Sequence, residues 1–340
     1  MHSYEKLLCQ KSNLQAHNSF NPSSFDMDRQ TNTPLVTIAI PAYKTDFLAE
    51  AISSALSQTY ADIEVIVVDD ASPNDVQGIV ARFSDNRLSY HRNEKNLGKE
   101  DPSRNWNRCL ELAKGDFICL LCDDDVYHKD FIAELISLQS KYPGCNAFRC
   151  GVKEIDSDGN TTEYYPLAPE HQCIEEYIWH LHSRNNRQTM SEWMLRTSAL
   201  RGINGYASAP MAWGADCATI FRIGRNGGVV SSARRLMSFR RTDKNITGRT
   251  FSYNQKKLIG WRQQCHVATE IVNAGSHSDK KMIIRTIEKD MRNETKFLVK
   301  HASIKELFSM YAEREKYGLT FSLFLKGIWQ NIKHLPHSVR

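Results

Sequence analysis

Nowhere in the 340-residue sequence do apolar side chains run for the about 18 consecutive positions that a bilayer crossing takes. The opening residues, MHSYEKLLCQKSNLQAH, lack the basic-then-apolar order of a secretory leader. The nine cysteines are scattered, and several sit inside apolar runs (Cys109, Cys119, Cys217). Cys119 and Cys122 stand three apart in a strand-like run, with no second pair to complete a zinc site. These absences lead to the expectation of a cytoplasmic chain with reduced thiols, in which the sequons at Asn160, Asn245 and Asn293 carry no weight. Glycine is missing from PAYKTDF, the turn after the first apolar run, and no GxxxxGKS/T occurs anywhere. That disfavours the dinucleotide-binding and P-loop readings, which need small residues where phosphate lies against backbone. A net charge of +5 is too mild for a dedicated nucleic-acid surface, though it suits a phosphate-bearing substrate or an anionic membrane face. No internal repeat is visible. His180 and His182 lie two apart without a third ligand in view, so packing explains them better than a metal does.

What is present reads as an ordinary globular composition, 41% hydrophobic and 24% charged. Residues 1–33, rich in Asn, Ser and Gln, read as a disordered arm. From Pro34 the pattern alternates. LVTIAIPAY is a strand, DFLAEAISSALSQTY a helix and IEVIVVDDAS a second strand. A helix from about Pro73 to Phe83, a strand LSYHRN, a helix from about Pro102 to Lys114 and the strand DFICLLC follow. Such alternation predicts an open α/β sheet with ligands beyond the carboxyl ends of its strands. Residues 34–147 are therefore expected to form one half of a domain, with a ligand edge. From about Phe148 the character changes: a hairpin with an Asp158-Gly159 turn, a helix near CIEEYIWHLHS and a longer mixed segment set residues 148–250 apart as a second half. Residues 251–340 read as a C-terminal helical extension.

The run CDDD ends an apolar strand with Asp123, Asp124 and Asp125 in a row. Charges that close repel unless a cation offsets them, and hard divalent cations collect carboxylate oxygens. A solvated acidic loop, or carboxylates in the first turn of the helix that DFIAELISLQSKY suggests, is the plainer reading. Position favours a site. The loops IPAYKT, VDDAS and CDDD all follow strands of one parallel arrangement and should open onto the same edge.

Taken together, VTIAIPAYKTDFLAEAISSALSQTYADIEVIVVDDAS, NEKNLGK, SRNWNRCLELAKGDFICLLCDDD, GINGYASAPMAWGADCATIFRIG and FRRTDKNITG, in that order, resemble the family 2 glycosyltransferases. These are inverting enzymes of GT-A fold, a Rossmann-like mixed sheet flanked by helices. The resemblance covers about residues 34 to 250, and implies that 34–147 form the nucleotide-sugar-binding half and 148–250 the acceptor-binding half. It implies that Pro41, Ala42 and Tyr43 line a nucleotide pocket, that Asp70 contacts the base and that Arg104 helps hold the nucleotide. It also implies that the aspartates are the DXD element holding Mg²⁺ or Mn²⁺, with Asp124 at the position of the usual ligand and Asp123 and Asp125 sharing the ribose and metal contacts. Many members carry an aspartate where this chain has Cys122. Asp216 matches the position of the base that takes the acceptor proton, and a helix-capping role is its alternative. Trp193 and Trp213 are candidates to stack on an acceptor sugar, or else buried tryptophans. Arg240 and Arg241 match a basic segment that folds over the diphosphate. The absence of QxxRW speaks against a processive polymer synthase.

The implied activity is transfer of one sugar from a nucleotide donor, UDP-linked by preference, to a hydroxyl of a glycan or lipid-linked acceptor in surface polysaccharide synthesis. A sugar-nucleotide pyrophosphorylase would need a glycine-rich basic loop after the first strand. An inactive glycan-binding scaffold would have no use for all four aspartates. Finally, YGLTFSLFLKGIWQNIKHLPHSVR predicts a helix with a wide apolar face edged by Lys326, Lys333, His334 and Arg340. That face either docks on the domain or lies on the inner face of an anionic membrane.

Overall fold

The computed structural model of the chain describes residues 33–243, 245 and 254–333. The expected arm, save for Thr33, and part of the FRRTDKNITG segment lie outside the described residues, as do His334 and Arg340.

The first half alternates as its apolar runs predict. Strand β1 (Val36–Ala42) leads to helix α1 (Leu48–Leu56), β2 (Ile63–Asp69), the short α2 (Val76–Val80), β3 (Leu88–Arg92), α3 (Ser103–Leu112) and β4 (Phe117–Leu120). Helix α2 is shorter than expected because Asp75 caps it, its carboxylate accepting from the Gly78 amide at 2.8 Å, and the chain turns out of helix from Ala81. After β5 (Val126–Tyr127) and α4 (Phe131–Lys141) come β6 (Ala147–Ile155) and β7 (Thr161–Tyr164), the expected hairpin, with Gly159 at φ 86° in its turn. Then follow β8 (His171–Gln172), α5 (Ile174–His182), β9 (Trp193–Arg196), α6 (Thr197–Gly202), α7 (Ala215–Ile223) and the long β10 (Val229–Arg240).

All these strands share one sheet in the order β3-β2-β1-β4-β9-β6-β10-β5, with β7 on β6 and β8 on β10. β1 runs parallel to both β2 and β4. It pairs Ala42 with Asp69 on one side and Ala39 with Leu120 on the other, so three strands end at one edge. β9 enters antiparallel between β4 and β6 and makes the sheet mixed. On one face of the sheet Ile38, Ile40, Val65, Val67 and Phe148 pack under α1 and α4. On the other, Ile66, Val68, Ile118 and Trp193 pack with α3, α5 and α7.

Helices α8 (Asn254–Ala274) and α9 (Lys280–His301) join this second core through Cys265, Ala268, Val272, Ile283 and Ile287. A polar tie reinforces the joint: Asp290 of α9 meets the buried His182 ring at 2.9 Å and takes the Arg184 guanidinium at 2.8 and 3.1 Å. Helices α10 (Ile304–Ala312), α11 (Arg314–Tyr317) and α12 (Phe321–Lys333) close over a small core of their own, built on Leu298, Leu307, Met310, Tyr317 and Phe324. No described helix is long and apolar enough to cross a membrane.

Candidate active site

The acidic run sits where the sheet places it, beyond β4 and beside the loops that follow β1 and β2. All three carboxylates are buried, at 5, 5 and 1% exposure, so the solvated-loop reading fails. Their partners differ, although Asp123 and Asp124 share Lys44. Asp123 Oδ2 accepts from the amides of Tyr43 and Lys44 at 2.9 and 2.7 Å, clamping the loop after β1. Asp124 meets the Lys44 ammonium, which also lies 3.3 Å from Asp123 Oδ1. Asp125 Oδ2 accepts from the Ser191 hydroxyl at 2.5 Å and Oδ1 from the Arg240 amide at 3.0 Å. Burial, with Asp124 next door, pushes the Asp125 carboxyl up to about 8, and burial likewise raises Asp123. Burial alone would lower the Lys44 pKa, but the Asp123 and Asp124 charges outweigh it and hold the ammonium charged. Lysine is thus the cation that offsets the run here.

This geometry separates the three expected ligands. Asp125 takes a hydrogen bond on each oxygen and so pins the loop to Ser191 and Arg240. Asp124 and Asp123 Oδ1 are the oxygens turned toward the Lys44 ammonium. As hard donors, one or two carboxylates are what Mg²⁺ or Mn²⁺ takes when substrate phosphates complete the shell, so these residues fit such an ion. Among the described residues, the group of acidic, His and Cys atoms converging as a three-donor set is elsewhere, at Cys173, Glu176 and His277. Two of those three meet as the capping box that starts α5.

Arg240 is also not at the surface. Fully buried, it donates from Nε to the Asp124 carbonyl at 3.0 Å and from Nη1 to the Asp156 carbonyl at 3.0 Å, pairs with Glu50 at 2.5 Å and covers the Phe47 ring. Arg241 is paired with Glu154 at 2.8 Å.

On the β2 side, Asp69 and Asp70 are both buried. Asp69 takes Tyr90, Arg92 and the Ser72 amide. Asp70 accepts from Asn93 Nδ2 (2.9 Å) and from the amides of Leu97 and Gly98 (2.7 Å each), so it shapes the NEKNLGK loop. A Cβ on Gly98 would stand 2.9 Å from Asp70 Oδ2, which is why the loop needs glycine there. Ala42 lies wholly in the core with its carbonyl taken by the Asp70 amide, and so does not line a pocket as expected. Pro41 is half-buried, while Tyr43 and, on α3, Arg104 are exposed.

On the opposite side, Asp216 lies in the first turn of α7. Oδ2 accepts from Gln188 Nε2 at 3.1 Å, and burial raises its pKa. The amide of Gln188 is oriented from behind. Tyr177 donates to its Oε1 at 2.5 Å, and the Tyr177 oxygen itself accepts from Arg149 at 3.2 Å. Arg149 forms a buried pair with Glu192 at 2.6 Å. Burial pushes the Glu192 carboxyl up to about 7 against the pull of Arg149. Trp193 belongs to this foundation: fully buried, with the Arg149 guanidinium 5.2 Å from its ring, it offers no face to an acceptor sugar. Trp213 remains half-exposed, with the Lys257 ammonium 4.4 Å from its ring. Met211 and Ala212, beside it, hold left-handed φ of 60° and 53°, and Ala71 after Asp70 holds 51°. Strained backbone thus flanks both carboxylate groups.

Residues 37–204 match the family described as Glycosyl transferase family 2. That stretch, just under half of the chain, is similar to a family 2 glycosyltransferase domain. The glycosyltransferase WfgD of Escherichia coli, named as a UDP-Glc:alpha-D-GlcNAc-diphosphoundecaprenol beta-1,3-glucosyltransferase, is 35% identical over 108 residues, 32% of this chain and 42% of that one. The chain spans about half the length, or less, of the curated relatives it matches. S. aureus TarS in complex with UDP-GlcNAc has a similar fold, with a TM-score of 0.59 at 13% identity over 88% of each chain. So does the mannosyltransferase PcManGT of Pyrobaculum calidifontis with GDP-Man and Mn²⁺, with a TM-score of 0.52 at 15% identity, covering 89% of this chain and 88% of that one. The fold is therefore of GT-A architecture, with C-terminal helices added.

Lys44, Gln188, Ser191 and Tyr177 were not legible as site residues in the sequence. Lys44 alone carried a signal, as the lysine in a turn where phosphate-binding folds place glycine.

Proposed function

We propose that the chain is an inverting, non-processive glycosyltransferase that moves one sugar from a nucleotide sugar to an acceptor hydroxyl. The observation carrying this reading is the convergence of the clamped β1 loop, the Asp70-shaped loop and Asp124 at one sheet edge, with Asp216 supplied by α7. UDP is the favoured nucleotide, since TarS is seen with UDP-GlcNAc and WfgD is named for UDP-Glc. A lipid-linked glycan is the favoured acceptor, in keeping with the diphosphoundecaprenol in the name of WfgD, and surface polysaccharide synthesis is the setting.

In this reading Tyr43 and Pro41 border the base and ribose, with Arg104 on α3 toward the nucleotide. Asp124 and Asp123 hold a divalent cation. Bound there, Mg²⁺ or Mn²⁺ offsets the negative charge that grows on the departing diphosphate. Asp216, ionised and steadied by Gln188, takes the proton from the acceptor hydroxyl on the face of the sugar away from the leaving group. Trp213 edges the acceptor side.

A panel of UDP- and GDP-sugars, each with and without Mn²⁺, tests the reading by thermal shift, because a ligand at 100 times its Kd adds about 2.7 kcal/mol. A UDP-sugar that raises the melting temperature only with Mn²⁺, and is then turned over, supports it. Stabilisation by free sugars but by no nucleotide would instead favour a glycan-binding scaffold.

A further inference from the structure

Helix α12 does not choose between docking and exposure; it does both, on different faces. Phe324 is buried, and Leu323 and Ile328 are partly buried against Leu307, Met310 and Tyr317. A Cβ on Gly327 would stand 2.8 Å from Leu307 Cδ1 and 2.9 Å from Val299 Cγ1, so the helix sits hard against its neighbours there. Asn331 fastens the far end, donating to the Ala302 carbonyl at 3.0 Å. The other face is unpartnered by any described residue that would bury it: Phe321, Leu325, Trp329 and Ile332 are 59, 48, 57 and 46% exposed. Their spacing of four, four and three puts them on one stripe. An interior helix would cover such a stripe, and a solvated one would replace it with polar residues.

The charges decide what kind of surface would cover it. The helix FSLFLKGIWQNIK contains no acidic residue, and its only formal charges are Lys326 and Lys333. Lys326 shares a shallow surface groove with Phe321, Leu325 and Trp329, and the Lys333 ammonium lies 3.7 Å from the centre of the Trp329 ring. Large apolar residues, an indole and flanking ammonium groups on a helix already fixed to its domain match an interfacial segment on an anionic bilayer. We infer that α12 seats the protein on anionic lipid through Phe321, Leu325, Trp329 and Ile332, with Lys326 and Lys333 at the headgroups. The inference deepens the proposed lipid-linked acceptor and rests on that reading for its purpose, although the surface itself does not depend on it.

The test uses the full chain and sedimentation with vesicles of phosphatidylglycerol and phosphatidylethanolamine, set against vesicles of phosphatidylcholine alone. The native protein should pellet with the anionic vesicles. The double variant Leu325→Ser/Trp329→Ser should bind them at least tenfold more weakly at an unchanged melting temperature, since neither side chain is in the core. Lys326→Gln/Lys333→Gln should lose the preference for anionic over neutral lipid. Native protein left in the supernatant, or a serine variant that binds as well as native, would overturn the inference. So would light scattering that shows a native dimer broken by the serine pair, because a second copy would then own the face. Transfer to soluble acceptors alone, with vesicle binding intact, would remove the lipid-linked acceptor and leave the surface standing.

Discussion

The two sides of the site hold their carboxylates in different ways. On the proposed nucleotide side, Asp70 and Asp123 accept from backbone amides of Leu97, Gly98, Tyr43 and Lys44, and Asp125 from the amide of Arg240. On the proposed acceptor side, Asp216 is held from another element by a single side-chain amide, Gln188. Backbone donors are present whatever the side chain, so the bonds of the first arrangement tolerate change at Leu97, Tyr43 and Lys44, though not at Gly98, where a Cβ would crowd Asp70. The second can be undone at any of the positions behind it. Donor recognition should accordingly be robust, and proton transfer fragile, to substitution around the site.

Asp216→Asn breaks the comparison most sharply. Turnover should fall on the order of 10²- to 10⁴-fold, the usual worth of a general base, while calorimetry shows nucleotide affinity nearly unchanged. Lost nucleotide binding would move Asp216 to the donor side. Asp124→Ala comes next, with an expected loss on the order of 10²- to 10³-fold in cation-dependent turnover. Folding should survive, because Asp123 and Asp125 still clamp the loop; native turnover in this variant would dismiss the acidic run as a cation site.

The fold was legible where burial is continuous. β1, β2 and β4 are mostly apolar and almost wholly buried, and their order implied the shared edge. The loops after them could therefore be placed before any coordinates. Partners far along the chain were not legible. Nothing near Asp125 announces Ser191, 66 residues on, or Arg240, 115 residues on, and without them Asp125 looks like a ligand. Trp193 failed for a related reason. A tryptophan in a short amphipathic stretch does not declare its face until β9 is seen to insert between β4 and β6.

Gln188→Leu sharpens the comparison from within the acceptor side. Losing one hydrogen bond to a charged group is worth about 1.5–3 kcal/mol, or about tenfold and upward in rate. Burial raises the Asp216 pKa and the Gln188 amide opposes it. The acid limb of the kcat/KM profile should therefore move to higher pH in the variant, with a lower melting temperature because the buried Tyr177 hydroxyl loses its acceptor. An unmoved limb would make Gln188 merely structural.

The smallest effect concerns the foundation. Glu192, with a carboxyl pKa raised to about 7, keeps a proton in the folded state that the unfolded chain releases near its ordinary value of 4.5. The folded state binds more protons across that window, so this group's contribution is full below about 4.5 and is lost as pH rises through about 7. Melting curves of native protein and Glu192→Gln, taken across the window, should show a falling component in the native protein that the variant lacks.

Lys44 has a consequence outside catalysis. Proteins whose clustered acidic ligands are offset only by a metal are often assembled only when that metal is present. Here the offsetting charge is part of the polypeptide, four residues after the β1 segment Ile38–Ile40 that helps build the core. The fold is therefore expected to form before any ion is bound. Chelation should leave its melting curve in place, and a cell starved of manganese or magnesium would hold this protein folded and waiting rather than degrade it.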